Sequence, residues 1–369
     1  MEVVATRAGD CDTPALLLDM DAAERNIEKM AAYFRGTSAS LRPHVKVHKS
    51  PWLAQKQIDA GARGITVAKV SEAEVMARAG VDDVLIANEV VGGYKVKRLA
   101  RVAKLCKLGV IVDNIHNARQ ISELASQEGS RLRVLVDVNL SSVMGGVLDR
   151  TGVVPADALA LAREISKMKS LEFSGVMGYE GSLKAFPDPA SKAAAGKKAL
   201  GLLVETAQTI RESGLSADVV SSSGTMSYKI AAEFPGVTEV QAGGYLFMDL
   251  GYRRAGIDFE TSLTLLTTIV SRPRPEKLIV DVGYKAVSAE SGLPGVKDRP
   301  GLEVTSLNAE HGHVNVSRDP ARPGIEVEDK LELLPSHVDT TTCLHDEYVL
   351  LRDGEVESRL QIAARGKLQ

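Results

Sequence analysis

Arg42-Pro43-His44-Val45-Lys46-Val47-His48-Lys49 is the stretch on which the reading of the chain turns. One helical pattern precedes it and another follows, so it predicts a strand. Alternate side chains of a strand share one face, which groups His44, Lys46 and His48 opposite Val45 and Val47. A strand buried in a parallel barrel carries branched apolar residues on both faces. Here one face holds a cation and two imidazoles, which are costly to bury without a partner. An anionic partner is needed, and a phosphorylated carbonyl cofactor supplies both an anion and a target for a lysine. The plain alternative is an edge strand with a solvated basic face.

Upstream, residues 13–19 (TPALLLD) predict a short strand, and Asp21 a cap for the helix that follows. Ile27, Met30, Ala31 and Phe34 recur at helical spacing. Downstream, strand and helix alternate. Strands are expected over 64–70, 83–87, 107–113, 131–138, 171–179, 217–221 and 239–242. Helices are expected over 51–61, 71–80, 94–105, 116–127, 155–168, 188–214 and 227–234. Ser71 and Glu74 read as a capping box. Counted from Leu41 there are eight strands, which predicts an α/β fold of the (β/α)8 TIM-barrel type over 21–254. No GxGxxG follows any strand, which disfavours a dinucleotide fold. Beyond residue 255 the pattern changes to short β runs (261–270, 277–282, 312–316, 330–334, 348–352). These predict a β domain over 255–369, joined by residues 1–20.

The 369 residues carry 44% hydrophobic and 25% charged side chains and a formal net charge of -3. There is no basic field for nucleic acid and no run of ~20 apolar residues for a membrane helix. The opening residues 1–4 (MEVV) show no signal-peptide pattern. Cys11, Cys106 and Cys343 are widely spaced, fit neither a disulfide framework nor a CxxC site, and suit a cytoplasmic location.

A barrel's site lies at the C-terminal ends of its strands. Those ends bring up the first-strand trio, then Asp137, Asn139 and Arg150-Thr151-Gly152, then Tyr179-Glu180-Gly181-Ser182. Ser223-Gly224-Thr225 and Gly243-Gly244-Tyr245 follow the last two strands. Hydroxyls and glycines at that place are where barrels hold phosphate; a pure turn role is the alternative. With a lysine in the same mouth, they suggest pyridoxal phosphate (PLP) held as a Schiff base. In the β domain, Pro335-Ser336-His337-Val338-Asp339, if extended, points His337 and Asp339 the same way. That pair suits Mn²⁺, Mg²⁺, Co²⁺ or Zn²⁺, with Cys343 and His345 as rival ligands and surface polarity as the alternative.

Together these motifs resemble the fold-type III PLP enzymes of the D-threonine aldolase and eukaryotic-type D-serine dehydratase family, whose barrel is similar to that of alanine racemase. The resemblance covers nearly the whole chain. It implies Lys46 as the Schiff-base lysine, with Ser223, Gly224, Thr225, Gly243, Gly244 and Tyr245 around the cofactor and its phosphate. It implies Tyr179 and Arg150 at the ring edge and a divalent metal, Mn²⁺ first, on His337 and Asp339. Dehydratases of the family tend to carry His-x-Cys there and aldolases His-x-Asp, so the implied activity is retro-aldol cleavage of a D-3-hydroxy amino acid to glycine and an aldehyde. The family's histidine after the sixth strand is absent, leaving His48, Glu180 or a metal-bound water as base. The run 145–149 and Val47 also depart from the family pattern. The other readings are a β-eliminating dehydratase, a racemase of the same fold, a barrel-only PLP carrier and a sugar-phosphate barrel enzyme. The resemblance also implies a homodimer.

Overall fold

The computed structural model describes residues 7–143, 150–181, 183, 186, 188–317 and 324–369. The opening residues 1–4, the run 145–149 and Ser182 lie outside them. The described chain divides into two units. One comprises the chain up to Lys29, Val47–Lys49 and Gly244–Gly366; the other comprises Met30–Lys46, Ser50–Gly243 and Lys367–Gln369.

β1 (Ala15–Asp19) runs into α1 (Met20–Arg35). The stripe Ile27, Met30, Ala31 and Phe34 is buried as its spacing predicts. The cap is Asp19 rather than Asp21: its carboxylate accepts the Ala22 amide at 3.0 Å, while Asp21 pairs with Arg352 at 2.9 Å. The barrel unit then alternates β2 (Ser40–Leu41), α2 (Pro51–Asp59), β3 (Ile65–Val67), α3 (Val70–Arg78), β4 (Asp83–Glu89), α4 (Gly93–Val102), β5 (Lys107–Val112), α5 (Ile115–Glu128), β6 (Leu132–Asp137), α6 (Pro155–Ser166), β7 (Leu171–Gly178), α7 (Pro189–Glu212), β8 (Val219–Ser222), α8 (Tyr228–Ala232) and β9 (Glu239–Val240). The sheet order is β2-β9-β8-β7-β6-β5-β4-β3. A single parallel bridge between His44 and Thr66 joins its two ends, with Arg63 N donating to Leu41 O and Thr66 N to Pro43 O, both at 2.9 Å. This is the (β/α)8 barrel.

Period-2 alternation builds its core. Val84, Ile86, Val110, Val112, Val134 and Val136 are wholly buried on one face of β4, β5 and β6. Leu85, Ile111, Leu135 and Met177 cluster on the other. Helix ends follow local chemistry. Asn114 opens α5 by accepting the Asn117 amide at 2.8 Å, and Gly129 closes it at φ 66°. The expected Ser71–Glu74 box is displaced. Glu72 instead reaches back to the amides of Ala68 (2.8 Å) and Lys69 (3.1 Å), and Ser71 donates to Gln369 O at 2.7 Å.

The octapeptide is not a strand throughout. β2 ends at Leu41, His44 makes the one bridge, and Val45–Val47 close a 3₁₀ turn. Pro43 has no N–H to continue the ladder. The Lys46 amide turns back to His44 Nδ1 at 3.5 Å, a local bond that competes with strand pairing. The shared face is therefore lost: Lys46 is exposed, His44 half-buried and His48 buried.

The second unit contains α9 (Leu250–Arg254), β10 (Leu263–Arg274), β11 (Lys277–Val280), β12 (Gly295–Val296), β13 (Leu302–Leu307), β14 (Gly312–Val316), β15 (Lys330–Leu334), α10 (Val338–Thr342), β16 (Glu347–Arg352) and β17 (Glu355–Gln361). Its sheet runs β13-β14-β11-β10-β1-β16-β17, and β15 also pairs β10. β1 lies antiparallel to β10 and parallel to β16. β17 carries four charged or amide side chains in seven residues and is almost wholly solvated, so no apolar alternation announced it.

Candidate active site

β7, β8, β9 and β2 are sheet neighbours, so the loops that leave them stand side by side. Gln241 N donates to Ser222 O at 3.1 Å, joining the loops after β9 and β8. A Cβ on Gly243 would lie 2.2 Å from the carbonyl oxygen of His44. That contact ties the loop after β9 to the turn carrying Lys46, and it explains the glycine by packing before any ligand is considered. The barrel unit thus gathers Lys46, Arg150, Tyr179, Ser223–Thr225 and Gly243.

The β8 loop is built under tension. Ser223 sits at φ +67°, a left-handed conformation that costs about 1–2 kcal/mol in a residue with a Cβ. Its side chain is buried, and its Oγ has no hydrogen-bond partner. A Cβ on Gly224 would meet the Tyr179 hydroxyl at 3.5 Å, so the phenol lies over the loop. The Arg150 guanidinium stacks on the same ring, 5.0 Å from its centroid. A buried hydroxyl without a partner is what an incoming anion satisfies. An exposed lysine on the neighbouring turn and a stacked Arg–Tyr pair complete a donor set that fits PLP.

The C-terminal ends of β4 and β6, at the same mouth of the barrel, join Asp137, which the sequence marked, to Glu89, which it did not. Glu89 and Asp137 are the last residues of these strands, and burial followed by the hydrogen bond and charge of Glu89 pushes Asp137 up to about 8. Thr151 Oγ donates to Asp137 Oδ2 at 2.9 Å, which fixes the segment beginning at Arg150. One Glu89 oxygen is buried without a partner. These side chains come from the two strands that flank β5 and are far apart in the sequence.

In the second unit several expectations change. The His48 ring is fully buried edge-on to Phe247 at 6.3 Å, and its carbonyl accepts from Tyr348 OH at 2.9 Å. The 3₁₀ turn directs it into a core, so the structure gives no support to a role as base. Tyr245 is likewise wholly buried, 5.5 Å from Phe259. A Cβ on Gly244 would clash with the Tyr252 ring at 2.4 Å. His337 and Asp339 do not share an extended face: His337 caps α10 and Asp339 lies in its first turn. His337 Nδ1 meets Glu290 Oε2 at 3.0 Å and Thr340 Oγ1 at 3.2 Å. A metal-binding imidazole is usually oriented this way, with Nδ1 engaged by a carboxylate and Nε2 presented as acceptor. No signal in the sequence linked Glu290 to His337. Among the described residues no cluster of three or more His, Cys, Asp or Glu could hold a metal, so an ion on this pair would need water or substrate to complete its shell. His345 is spent on Ala286 O at 2.7 Å and Cys343 on Asp339 O at 3.4 Å.

Residues 18–251 match the family described as "Alanine racemase, N-terminal domain", and residues 262–351 match that described as "Putative serine dehydratase domain". The chain is 40% identical to a D-threonine aldolase of Arthrobacter sp., over 96% of this chain and 93% of that protein. The chain belongs to the D-threonine aldolase and D-serine dehydratase family. It is also 35% identical to a 3-hydroxy-D-aspartate aldolase of Paracoccus denitrificans (strain Pd 1222), over 97% of this chain and 93% of the relative. The crystal structure of D-threonine aldolase from Filomicrobium marinum superposes with a TM-score of 0.94 at 36% identity, covering 100% of this chain and 99% of that one. Members named as dehydratases are more distant, at 30% identity or below. The alanine racemase-like family implies PLP, and the donor set at Lys46, Arg150, Tyr179 and Ser223 accords with it. No helix among the described residues is long and apolar enough to cross a membrane.

Proposed function

We propose that the protein is a PLP- and divalent-metal-dependent lyase that cleaves D-threonine and related D-3-hydroxy amino acids to glycine and an aldehyde. The observation that carries the reading is the end-to-end match to D-threonine aldolases, at 40% identity in sequence and a TM-score of 0.94 in structure. Asp339 supports it, because a carboxylate beside His337 is a hard donor pair suited to Mn²⁺. The relative that acts on 3-hydroxy-D-aspartate makes a carboxylate β-substituent the second candidate substrate.

PLP, when bound, supplies the electron sink for the charge left as the Cα–Cβ bond breaks. Lys46, exposed on its turn, offers the amine that holds the cofactor's carbonyl carbon. The buried Ser223 hydroxyl donates to the phosphate and gains the partner it otherwise lacks. Arg150, stacked on Tyr179, places a fixed positive charge at the ring edge. His337 and Asp339 would hold the divalent metal, with Glu290 fixing the His337 tautomer through Nδ1, and the metal would supply a Lewis acid for the substrate's β-hydroxyl. Glu180 is buried and bonded to Ser227, and the His48 ring is buried, so the base belongs among solvent-linked groups. The resemblance to barrels of this type supports a homodimer; a fully active monomer in sedimentation would exclude that requirement.

The test is incubation of the purified protein with PLP, Mn²⁺ and D-threonine, with the carbon products identified. Glycine and acetaldehyde are expected, lost with EDTA and lost by several orders of magnitude in Lys46→Ala. Formation of 2-oxobutyrate and ammonia would make the protein a dehydratase and overturn the ligand argument from Asp339.

A further inference from the structure

Glu180 lies two residues beyond β7 and is 1% exposed. Its Oε1 accepts a short hydrogen bond from Ser227 Oγ, and its Oε2 lies 3.1 Å from Ser222 Oγ, whose proton it shares with Gly178 O at 2.6 Å. Ser222 is the last residue of β8 and Ser227 the residue before α8. One buried carboxylate therefore grips both ends of the loop that carries Ser223, Gly224 and Thr225. Ser227 N donates to Gly224 O at 3.1 Å, fixing the loop's middle.

We propose that Glu180 is a positioning residue that staples this loop and so presets the phosphate cradle for PLP. The inference rests on the cofactor reading given above. Among the described residues of the barrel unit, Ser223 is the only non-glycine residue with φ in the left-handed region. Such a conformation persists only where its surroundings over-determine it. A carboxylate supplies that constraint better than a hydroxyl or an amide because it only accepts. The Ser227 hydroxyl donates inward to it and cannot turn round without losing that bond, while the single Ser222 proton is shared between Glu180 Oε2 and Gly178 O, both on the β7 side of the loop. Burial of the carboxylate is offset by the same two bonds. The strain is left on Ser223, whose Oγ is held buried and unsatisfied, ready for an anion. Glu180 thus acts through the loop and not on the substrate, although its place after β7 suggested a base.

The full chain, freed of cofactor, is titrated with PLP and separately with pyridoxal, which lacks the phosphate. In Glu180→Ala the Kd for PLP is expected to rise about tenfold, the loss of two modest hydrogen bonds, while the pyridoxal Kd is unchanged. Glu180→Gln keeps one acceptor and the side chain's shape, and is expected to recover most of the PLP affinity. Should Glu180→Ala fail to fold, Ser227→Ala removes one arm of the staple and is expected to weaken PLP about threefold with pyridoxal again unchanged. Parallel loss of both ligands, or no loss of PLP affinity, overturns the proposal. A wild-type chain that binds neither aldehyde fails the cofactor reading itself, a result the variants cannot imitate.

Discussion

β4 begins on Asp83 and ends on Glu89, β6 carries Arg133 next to its start and ends on Asp137, and the two ends have opposite fates. At their starts, Asp83 is bonded by Arg133 and Arg42, both at 2.6 Å, and Arg42 also takes Glu239 at 2.6 Å. Burial raises the Asp83 carboxyl, but the bonds and charges of Arg133 and Arg42 outweigh it, and the group titrates below its ordinary value. At their ends, Glu89 and Asp137 face each other, and burial together with the hydrogen bond and charge of Glu89 drives Asp137 up to about 8. The same strands, seven and six residues long, therefore carry one end whose carboxylates are paired with arginines, although Arg133 Nε is buried without a partner, and one end whose carboxylates face each other. The first end holds the barrel together. The second holds groups poised for a ligand or a proton, which is where barrel enzymes keep their chemistry.

The comparison breaks most visibly at Arg42. It is 3% exposed, and its removal leaves Glu239 and Asp83 buried with one cation fewer between them. Breaking a buried network from one side costs about 3–5 kcal/mol. Arg42→Ala is expected to lower the denaturation midpoint by that amount or to yield insoluble protein. A denaturant midpoint within experimental error of wild type would mean that the lower end is not what stabilises the barrel.

How much of this was legible in the sequence depends on whether the signal was local. The eight-strand alternation was, because β4, β5 and β6 are branched apolar runs that repeat within a helix length of each other. Lys46 and the Ser223-Gly224-Thr225 loop were marked by residue type and by position after a strand. What failed was geometry set by single bonds. Pro43 and the His44 ring convert the end of a strand into a 3₁₀ turn, and His48 moves from the expected face into a core. His337 became a helix cap, so the extended reading of His337-x-Asp339 was lost while the pair itself remained adjacent in sequence. Glu89 with Asp137, and Glu290 with His337, join residues tens of positions apart, and no periodicity encodes such contacts.

The frustrated end predicts a pH dependence opposite to that of a paired acid. In the unfolded chain the Asp137 carboxyl ionises near its ordinary 3.8, and in the fold near about 8. Between those values unfolding releases a proton. The stability this group contributes is fully present below 3.8 and is lost as the pH rises through about 8. Asp137→Asn removes the titration while its amide can still donate toward Glu89 and accept from Thr151. The variant is expected to be more stable than wild type at pH 8.5 by about 1 kcal/mol or more, with the difference shrinking as the pH falls toward 5. Asp83, whose value is lowered, contributes stability that is lost only in acid, as pH falls through its folded value, so Asp83→Asn should flatten the acid limb instead. Parallel pH profiles of melting temperature for the two variants would abolish the distinction between the ends.

The smallest effect is the most diagnostic. Ser223→Ala keeps the Cβ and hence the left-handed cost, but deletes the buried hydroxyl that has no partner. An unsatisfied buried hydroxyl costs about 1–3 kcal/mol to leave dry. The cofactor-free variant should therefore be more stable than wild type by about 1 kcal/mol. The same hydroxyl is the donor assigned to the phosphate, so the variant should bind PLP several-fold more weakly. A mutation that stabilises the empty protein and weakens its ligand is the signature of a site that stores its misfit for binding. At the other end of the barrel Arg42→Ala should not behave so, because it leaves the buried Glu239 without its cation. If Ser223→Ala instead destabilises the empty chain, the hydroxyl is satisfied in solution, and the contrast between the two ends rests on Glu89 and Asp137 alone.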